Sequence, residues 1–412
     1  MKKFLAFMLA LSMVAAVAGC GNSASSSGSS AGSSTAGSTP PAASSAPQDT
    51  PDTDSIEFDA RTSDELYEEA LKEAEAGADT INVYSVSSRM EKACKVFEEA
   101  YPGLKAQAYD LDQNECLQKM VIEAQTGNIN CDVLHCKDGA GEIYYEYYQQ
   151  GYMEAYYPED ICSHMPEEYL GYGMPFYVGF TFIYYNPVNH PDGSPIETWW
   201  QLCDEEWSGN IVMEDPAGND TMMVLFTNFV IHSDEMAQAY KDHYGKDLEY
   251  TYGGDNAGYE FMYRFAQQEF TFMTGGDDIV AAVGTTTPGI DMVGICSAGK
   301  LDGADEEGLD LAWTTNITPF DNVANVNMLY VAAGCDNPAG ARLFIRYLLG
   351  DTDGQSDGFT PFTKMGNWGL RDDRPNTNNP FTIEESHSIS NNVPEVYKEI
   401  LDVKDFWSAT RG

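Results

Sequence analysis

Strand-like and helix-like patterns alternate over residues 62–135, and no other feature of the 412-residue chain narrows the fold as much. Thr62-Ser63-Asp64-Glu65 has the spacing of a helix-capping box, and Gly77 supplies a stop. Thr80–Ser85 alternates as a strand does. Met90, Ala93, Cys94 and Phe97 then fall three and four apart, so a helix with one apolar face runs to Pro102-Gly103. Lys105–Tyr109 reads as strand, Leu117, Met120, Val121 and Ala124 mark another helix, and Cys131–His135 is strand again. This order predicts βαβ units and a mainly parallel sheet, an α/β protein.

The β-rich run Phe176–Asn186, ending at Asn186-Pro187, is a candidate hinge where the chain leaves one lobe for another. A second such stretch, Ala312–Ala333, reads as the return. Between them lie a strand over Asn210–Glu214, a helix from Thr221 and another over Asp277–Val283. Asn337-Pro338 opens a helix with Ala341, Phe344, Ile345, Leu348 and Leu349 on one face and Gly350 at its end. The expected division is lobe 1 over 55–177 and 315–412, and lobe 2 over 178–314. No repeat of 20–50 residues appears.

Before the body comes an export signal. Lys2 and Lys3 precede an apolar run, Phe4–Ala18, that is too short for a good spanning helix, so 1–19 reads as a signal peptide. Val17-Ala18-Gly19-Cys20 resembles a bacterial lipobox, which makes Cys20 the expected site of lipidation, with palmitate among its acyl groups. From Gly21 to Pro51, 28 of 31 residues are Ser, Ala, Gly, Thr or Pro. Such a segment buries too little to order itself, so 20–54 is expected to be a flexible tether spanning about 30 Å. The expected location is the outer face of the cytoplasmic membrane, attached through lipid alone, with a monomeric body.

With 22 basic against 65 acidic residues the formal charge is −43, which disfavours nucleic acid and anionic headgroups as partners. Enzyme signatures are sparse: no HExxH, no P-loop and no GxGxxG after a strand. Cys131, His135 and Cys136 lack a second pair at zinc spacing. The Asp351, Asp353 and Asp357 series has Ser356 where a calcium loop needs glycine. No metal, no cofactor and no catalytic residue is therefore expected. The eight cysteines beyond Cys20 sit mostly at core-like positions and are expected to be buried free thiols.

Ligands of α/β sheets gather where strands end and helices begin. Ser87, Ser88 and Arg89 occupy such a turn and offer two hydroxyls and a guanidinium. Lys137 and Asp138 follow the strand at 131–135. Asp215, Asn219 and Thr221 link a strand to a helix in the second half, and Thr285 and Thr286 complete the candidate set.

Three blocks carry a family resemblance: Leu66-Tyr67…Glu73…Ile81–Ser85, then Trp199…Leu202…Trp207–Ile211…Glu214-Asp215-Pro216, and Asn337-Pro338…Ala341…Phe344-Ile345…Leu348-Leu349…Gly354-Gln355. In this order they resemble the extracellular solute-binding proteins of bacterial ABC importers, near the family-1 and iron(III)-type branch. The resemblance implies a two-lobe, type II periplasmic-binding-protein (Venus-flytrap) fold with a strand hinge. It also implies a small-molecule ligand, an ABC permease as partner and no enzymatic activity. Iron(III)-binding members carry adjacent tyrosines after a second-lobe strand, where this chain has Cys296-Ser297. Tyr144-Tyr145 and Tyr147-Tyr148 lie in a helical part of the first lobe. An oxyanion such as a phosphonate, sugar phosphate or carboxylate is thus expected ahead of iron. A polyamine is the rival ligand, and a surface-tethered hydrolase or an adhesion protein the rival class.

Overall fold

A computed structural model describes residues 56–304, 306–350, 358–374 and 378–411. The signal peptide, Cys20, the tether and the Asp351–Asp357 series lie outside the described residues.

The first βα segment forms where the patterns predict it. After a short strand at Phe58–Asp59 (β1), helix α1 covers Ser63–Glu75 and begins at a complete capping box: Glu65 N–H donates to Thr62 Oγ1 (3.3 Å) and Thr62 N–H to Glu65 Oε2 (2.9 Å). Strand Thr80–Ser85 (β2) leads into Met90–Ala100 (α2), whose Met90, Ala93, Cys94 and Phe97 are buried. Each large side chain buried this way contributes about 1.5–3 kcal/mol. Lys105–Asp110 (β3), Gln113–Thr126 (α3) and Val133–Lys137 (β4) complete the series. A π-helical turn at Ile143–Tyr148 follows, then Met153–Glu154 (β5), Tyr157–Pro158 (β6) and the single turn Glu159–Cys162 (α4).

The expected hinge run divides between two sheets. Met174–Gly179 (β7) belongs to a seven-stranded sheet, and Thr181–Tyr185 (β8), one residue later, to a five-stranded one. The second lobe continues with Ile211–Met213 (β9), Asp220–Ile231 (α5), Ser233–Tyr244 (α6), Ala257–Phe265 (α7), Phe270–Phe272 (β10), Gly276–Gly284 (α8), Val293–Ser297 (β11) and Ala312–Trp313 (β12). Asn325–Ala332 (β13) brings the chain back to the seven-stranded sheet, so both expected crossings are present. Pro338–Leu349 (α9), Asn367–Gly369 (β14) and Val393–Arg411 (α10) end the chain. Glu73 of α1 accepts from the first free N–H groups of α9, at Ala339 (3.0 Å) and Gly340 (3.1 Å), which fixes one helix against the start of the other.

The sheets differ from the expected parallel arrangement. The larger runs β14-β7-β13-β4-β2-β3 with β5 beside β13, and the smaller β10-β9-β11-β8-β12. Within these two sheets only the βα strands are parallel (β2 with β3 and β4; β9 with β10 and β11), while the crossing strands β7, β8 and β13 pair antiparallel; β1 and β6 form a separate parallel pair. A strand that must carry the chain between lobes enters its sheet without a helical crossover, so the parallel rule does not bind it. The last helix adds a second difference. The sequence reading puts all of 315–412 in the first lobe, yet α10 buries Val396, Ile400, Val403 and Trp407 in the second-lobe core beside α5 and α7. An amphipathic stripe shows that a helix needs a partner but not which one.

Candidate ligand-binding cleft

A cavity of about 290 Å³ opens between the two sheets. Its floor is the hinge. Tyr177 and Gly179 of β7, Asn325 and Asn327 of β13 and Asn367 of β14 line it, while their neighbours Val178, Val326 and Trp368 turn away, as the two-residue period of a strand requires. The walls are the C-terminal ends of the parallel strands. β2 and β4 are neighbours, with Ser85 opposite His135, so Ser87, Arg89 and Lys137 emerge together on the first lobe. β9 and β11 do the same on the second and present Glu214, Asn219, Thr221, Ser297 and Lys300.

The Ser87 turn is held from beneath. Ser87 N–H donates to Ser85 Oγ (3.1 Å), and the same oxygen lies 2.9 Å from Nδ1 of the buried His135. Burial pushes the His135 imidazole down to about 3, with the nearby Lys137 charge acting in the same direction, so the ring is neutral at physiological pH. Arg89 stands at the start of α2, where no side chain acts as a cap but backbone carbonyls already take the first N–H groups, Met90 donating to Ser87 O (3.0 Å) and Glu91 to Ser88 O (3.3 Å). Its guanidinium makes no hydrogen bond or ion pair among the described residues; Glu91, one local partner open to it, pairs instead with Lys95 (2.7 Å). Lys137 reaches solvent but is ringed by protein. That crowding pushes its ammonium below the usual lysine range, and the Glu214 carboxylate in the facing wall pulls the other way.

On the second lobe, Asn219 caps α5 by accepting from Met222 N–H (3.1 Å) and donates its amide to Glu214. Gly276 opens α8, also without a side-chain cap, and the Lys300 stem crosses so close above it that a Cβ there would lie 2.8 Å from Lys300 Cε. Lys300 pairs with Asp277. The starts of three helices (α2, α5 and α8) thus border the cavity, and among its charged lining residues are three cations and one carboxylate. In a chain with 22 basic and 65 acidic residues this is a local reversal of charge.

Of the residues singled out in the sequence, Ser87, Arg89, Lys137, Asn219 and Thr221 line this cavity, and Ser88, Asp138, Asp215, Thr285 and Thr286 do not. Ser88 is exposed beside it. Asp138 is buried and accepts from Ile143 N–H (3.0 Å) and Tyr144 N–H (2.7 Å). Its burial raises the carboxyl to about 7 against the pull of those bonds. Asp215 caps its own turn through Ala217 N–H (3.0 Å), Thr285 donates to Ala281 O (2.7 Å), and Thr286 sits between Asn186 (3.0 Å) and Asp310 (2.8 Å). Lys300, Glu214 and the floor residues Thr181, Asn325, Asn327 and Asn367 were not singled out as site residues, and Ser297 entered only as a position where iron(III)-binding members carry a tyrosine. The strand-end position of Glu214 and Ser297 was their only local signal.

Tyr144, Tyr145, Tyr147 and Tyr148 all lie on the π-helical turn and outside the cleft, with Tyr144 stacked on Tyr148 (5.5 Å). Cys296 lines the cleft, but burial pushes its thiol up to about 12. The eight cysteines Cys94 to Cys335 are free, and all but the half-buried Cys203 are buried. Among the described residues no helix is long and apolar enough to cross a membrane.

In sequence, no protein-family model matches the chain, and no curated protein does. In structure the chain is similar to the apo ferric ion-binding protein A of Pasteurella haemolytica, with a TM-score of 0.59 and 15% identity over 81% of this chain and 98% of that one. It is similar to the periplasmic binding protein AfuA of Actinobacillus pleuropneumoniae, solved with fructose-6-phosphate bound (TM-score 0.58, 16% identity, 80% and 98% covered). A substrate-binding protein of an ABC transporter from Agrobacterium tumefaciens matches at TM-score 0.58 and 14% identity, over 83% and 97%. The two sheets, the strand crossings and these neighbours define the fold as that of the two-lobe, type II periplasmic binding proteins.

Proposed function

We propose that this chain is the substrate-binding component of an ABC importer, which captures a small polar anion between its lobes and delivers it to a permease. The observation that carries the reading is the pair Arg89 and Lys137: two cations without ion-pair partners among the described residues, at strand ends, facing a cleft in an otherwise acidic protein. A guanidinium binds a carboxylate or phosphate bidentately. Ligand stabilises the closed form by touching both lobes at once. In this reading lobe 1 spans 55–177 and 315–392, and lobe 2 spans 178–314 with α10. Cys20 carries the lipid anchor, and the tether holds the body at the outer face of the membrane.

A cation-binding cleft has no use for two unpaired cations, which sets the polyamine reading behind the anion. Iron lacks a tyrosine pair in the cleft, where Tyr177 is the one phenol among the lining residues. Ser85 and His135, a hydroxyl beside an imidazole, are both fully buried beneath the Ser87 turn and do not line the cavity, which sets the hydrolase reading back. Native mass spectrometry of the purified protein, followed by calorimetry with the mass it reveals, tests the proposal. A co-purifying anion supports it. A polyamine, or a visible charge-transfer band on adding one equivalent of ferric citrate, would replace it.

A further inference from the structure

We propose, resting on the anion reading of the cleft, that the ligand is two-ended, with its anionic group on the first lobe and hydroxyl or ammonium donors on the second. The two walls are chemically unlike. The first brings Arg89 and Lys137, both without an ion-pair partner among the described residues, beside Ser87. The second brings one cation, Lys300, whose ammonium is already paired with Asp277, together with the carboxylate of Glu214 and the polar groups of Asn219, Thr221 and Ser297.

Glu214 decides the polarity. One of its oxygens accepts from Asn219, and the other has no hydrogen-bond partner among the described residues. A ligand anionic at both ends would set like charges together at this wall, and at a few ångströms inside a partly desolvated cleft that repulsion is not screened away. A ligand with a donor at that end instead gives Glu214 a charge-assisted hydrogen bond, the stronger kind. Hydroxyl and ammonium groups meet the requirement equally. The cavity of about 290 Å³ lies at the small end of the range for ligand pockets, which limits the ligand to a compact molecule. The same asymmetry orders the binding: exposed Lys137 and half-buried Arg89 take the anion from solvent, and the second lobe closes over the donor-bearing end.

Calorimetry on the purified protein with three probes tests this: methylphosphonate (anion alone), glycerol 3-phosphate (anion with hydroxyls) and phosphoethanolamine (anion with ammonium). At least one donor-bearing probe is expected to bind roughly tenfold or more tighter than methylphosphonate, the scale of one hydrogen bond to a charged group. Glu214→Gln is expected to shrink that ratio by a similar factor, and the ranking of the two donor-bearing probes assigns hydroxyl or ammonium. Equal affinity for all three, or a ratio unmoved by Glu214→Gln, overturns the two-ended ligand and leaves the anion reading standing. Failure of all three to bind removes the anion reading itself.

Discussion

Lys137 and Asn327 lie directly opposite one another where β4 pairs with β13. Paired residues of an antiparallel ladder point to the same face, so the end of a βα strand and the middle of a hinge strand share one surface of the cleft. A ligand seated on Lys137 therefore also rests against the segment along which the lobes move. In the proposed reading, binding and closure draw on the same few residues.

Arg89 is the first test of that surface. Arg89→Ala is expected to weaken binding of an anionic ligand by about 2–5 kcal/mol, and Arg89→Lys to recover only part, because an ammonium does not reproduce the guanidinium fork. Isothermal calorimetry on both variants measures it. Unchanged affinity in Arg89→Ala would refute the anion clamp.

Closure has a marker at the cleft rim. Gly366, at φ +91°, lies so close to the second lobe that a Cβ would come within 2.3 Å of Gly299 N. Gly366→Ala is expected to force this contact apart and hold the cleft more open. Small-angle scattering should show compaction of the wild type on saturation with the identified ligand and less in the variant. Ligand at a hundredfold over its Kd should stabilise the wild type by about 2.7 kcal/mol. Equal compaction in both proteins would show that the rim contact plays no part.

Acid stability should depend on Arg346. Its buried guanidinium donates from Nη1 to Asp160 Oδ1 (2.8 Å) and from Nε to Ser63 Oγ (2.8 Å), and its Nη2 donates to Asp160 Oδ2. Burial alone would raise the Asp160 carboxyl, but these bonds outweigh it and hold the group below its ordinary range. A carboxylate lowered in the folded state stabilises above the unfolded pKa, about 3.9, and that contribution disappears as pH falls through the folded value. With Asp160 partly exposed, Asp160→Asn is expected to cost about 2–3 kcal/mol at pH 7. In urea melts, the gap between wild type and variant should close below about pH 4. A gap independent of pH would assign the loss to packing.

The thiols offer a check on the core. Burial pushes Cys94, Cys116, Cys162 and Cys335 up to about 12, so the native protein should react slowly with a disulfide reagent at pH 8, with half-buried Cys203 the most reachable in geometry. Denaturant should release all eight. Fast reaction of several thiols in the native state would contradict the packing described.

Much of this was legible in the chain itself, because much of it is local. Capping at Thr62 and Glu65, the apolar stripe of α2, the strand Thr80–Ser85 and the helix opened by Pro338 each follow from neighbours a few residues apart, and each formed where the pattern lies. Both hinge crossings also showed, as β-rich runs too long for one strand of a βα unit. Arg89 and Lys137 could be chosen because a strand end followed by a helix start is itself a local signal.

Tertiary structure alone decided the rest. Asp138, Asp215, Thr285 and Thr286 look like Ser87 and Thr221 in sequence, since all are polar residues at turns. Whether such a group faces the cleft depends on where its turn lies between the two sheets: Thr221 lines it although its hydroxyl accepts from Asn325 (3.3 Å), whereas these four bond to neighbouring groups and lie outside it. Ser297, Lys300, Asn325 and Asn327 reach the cleft only through the pairing of strands far apart in the chain. The direction of the hinge strands and the lobe that α10 joins are likewise set by which distant surfaces bury each other. A periodicity records that a face must be buried; the identity of its partner is a property of the folded whole.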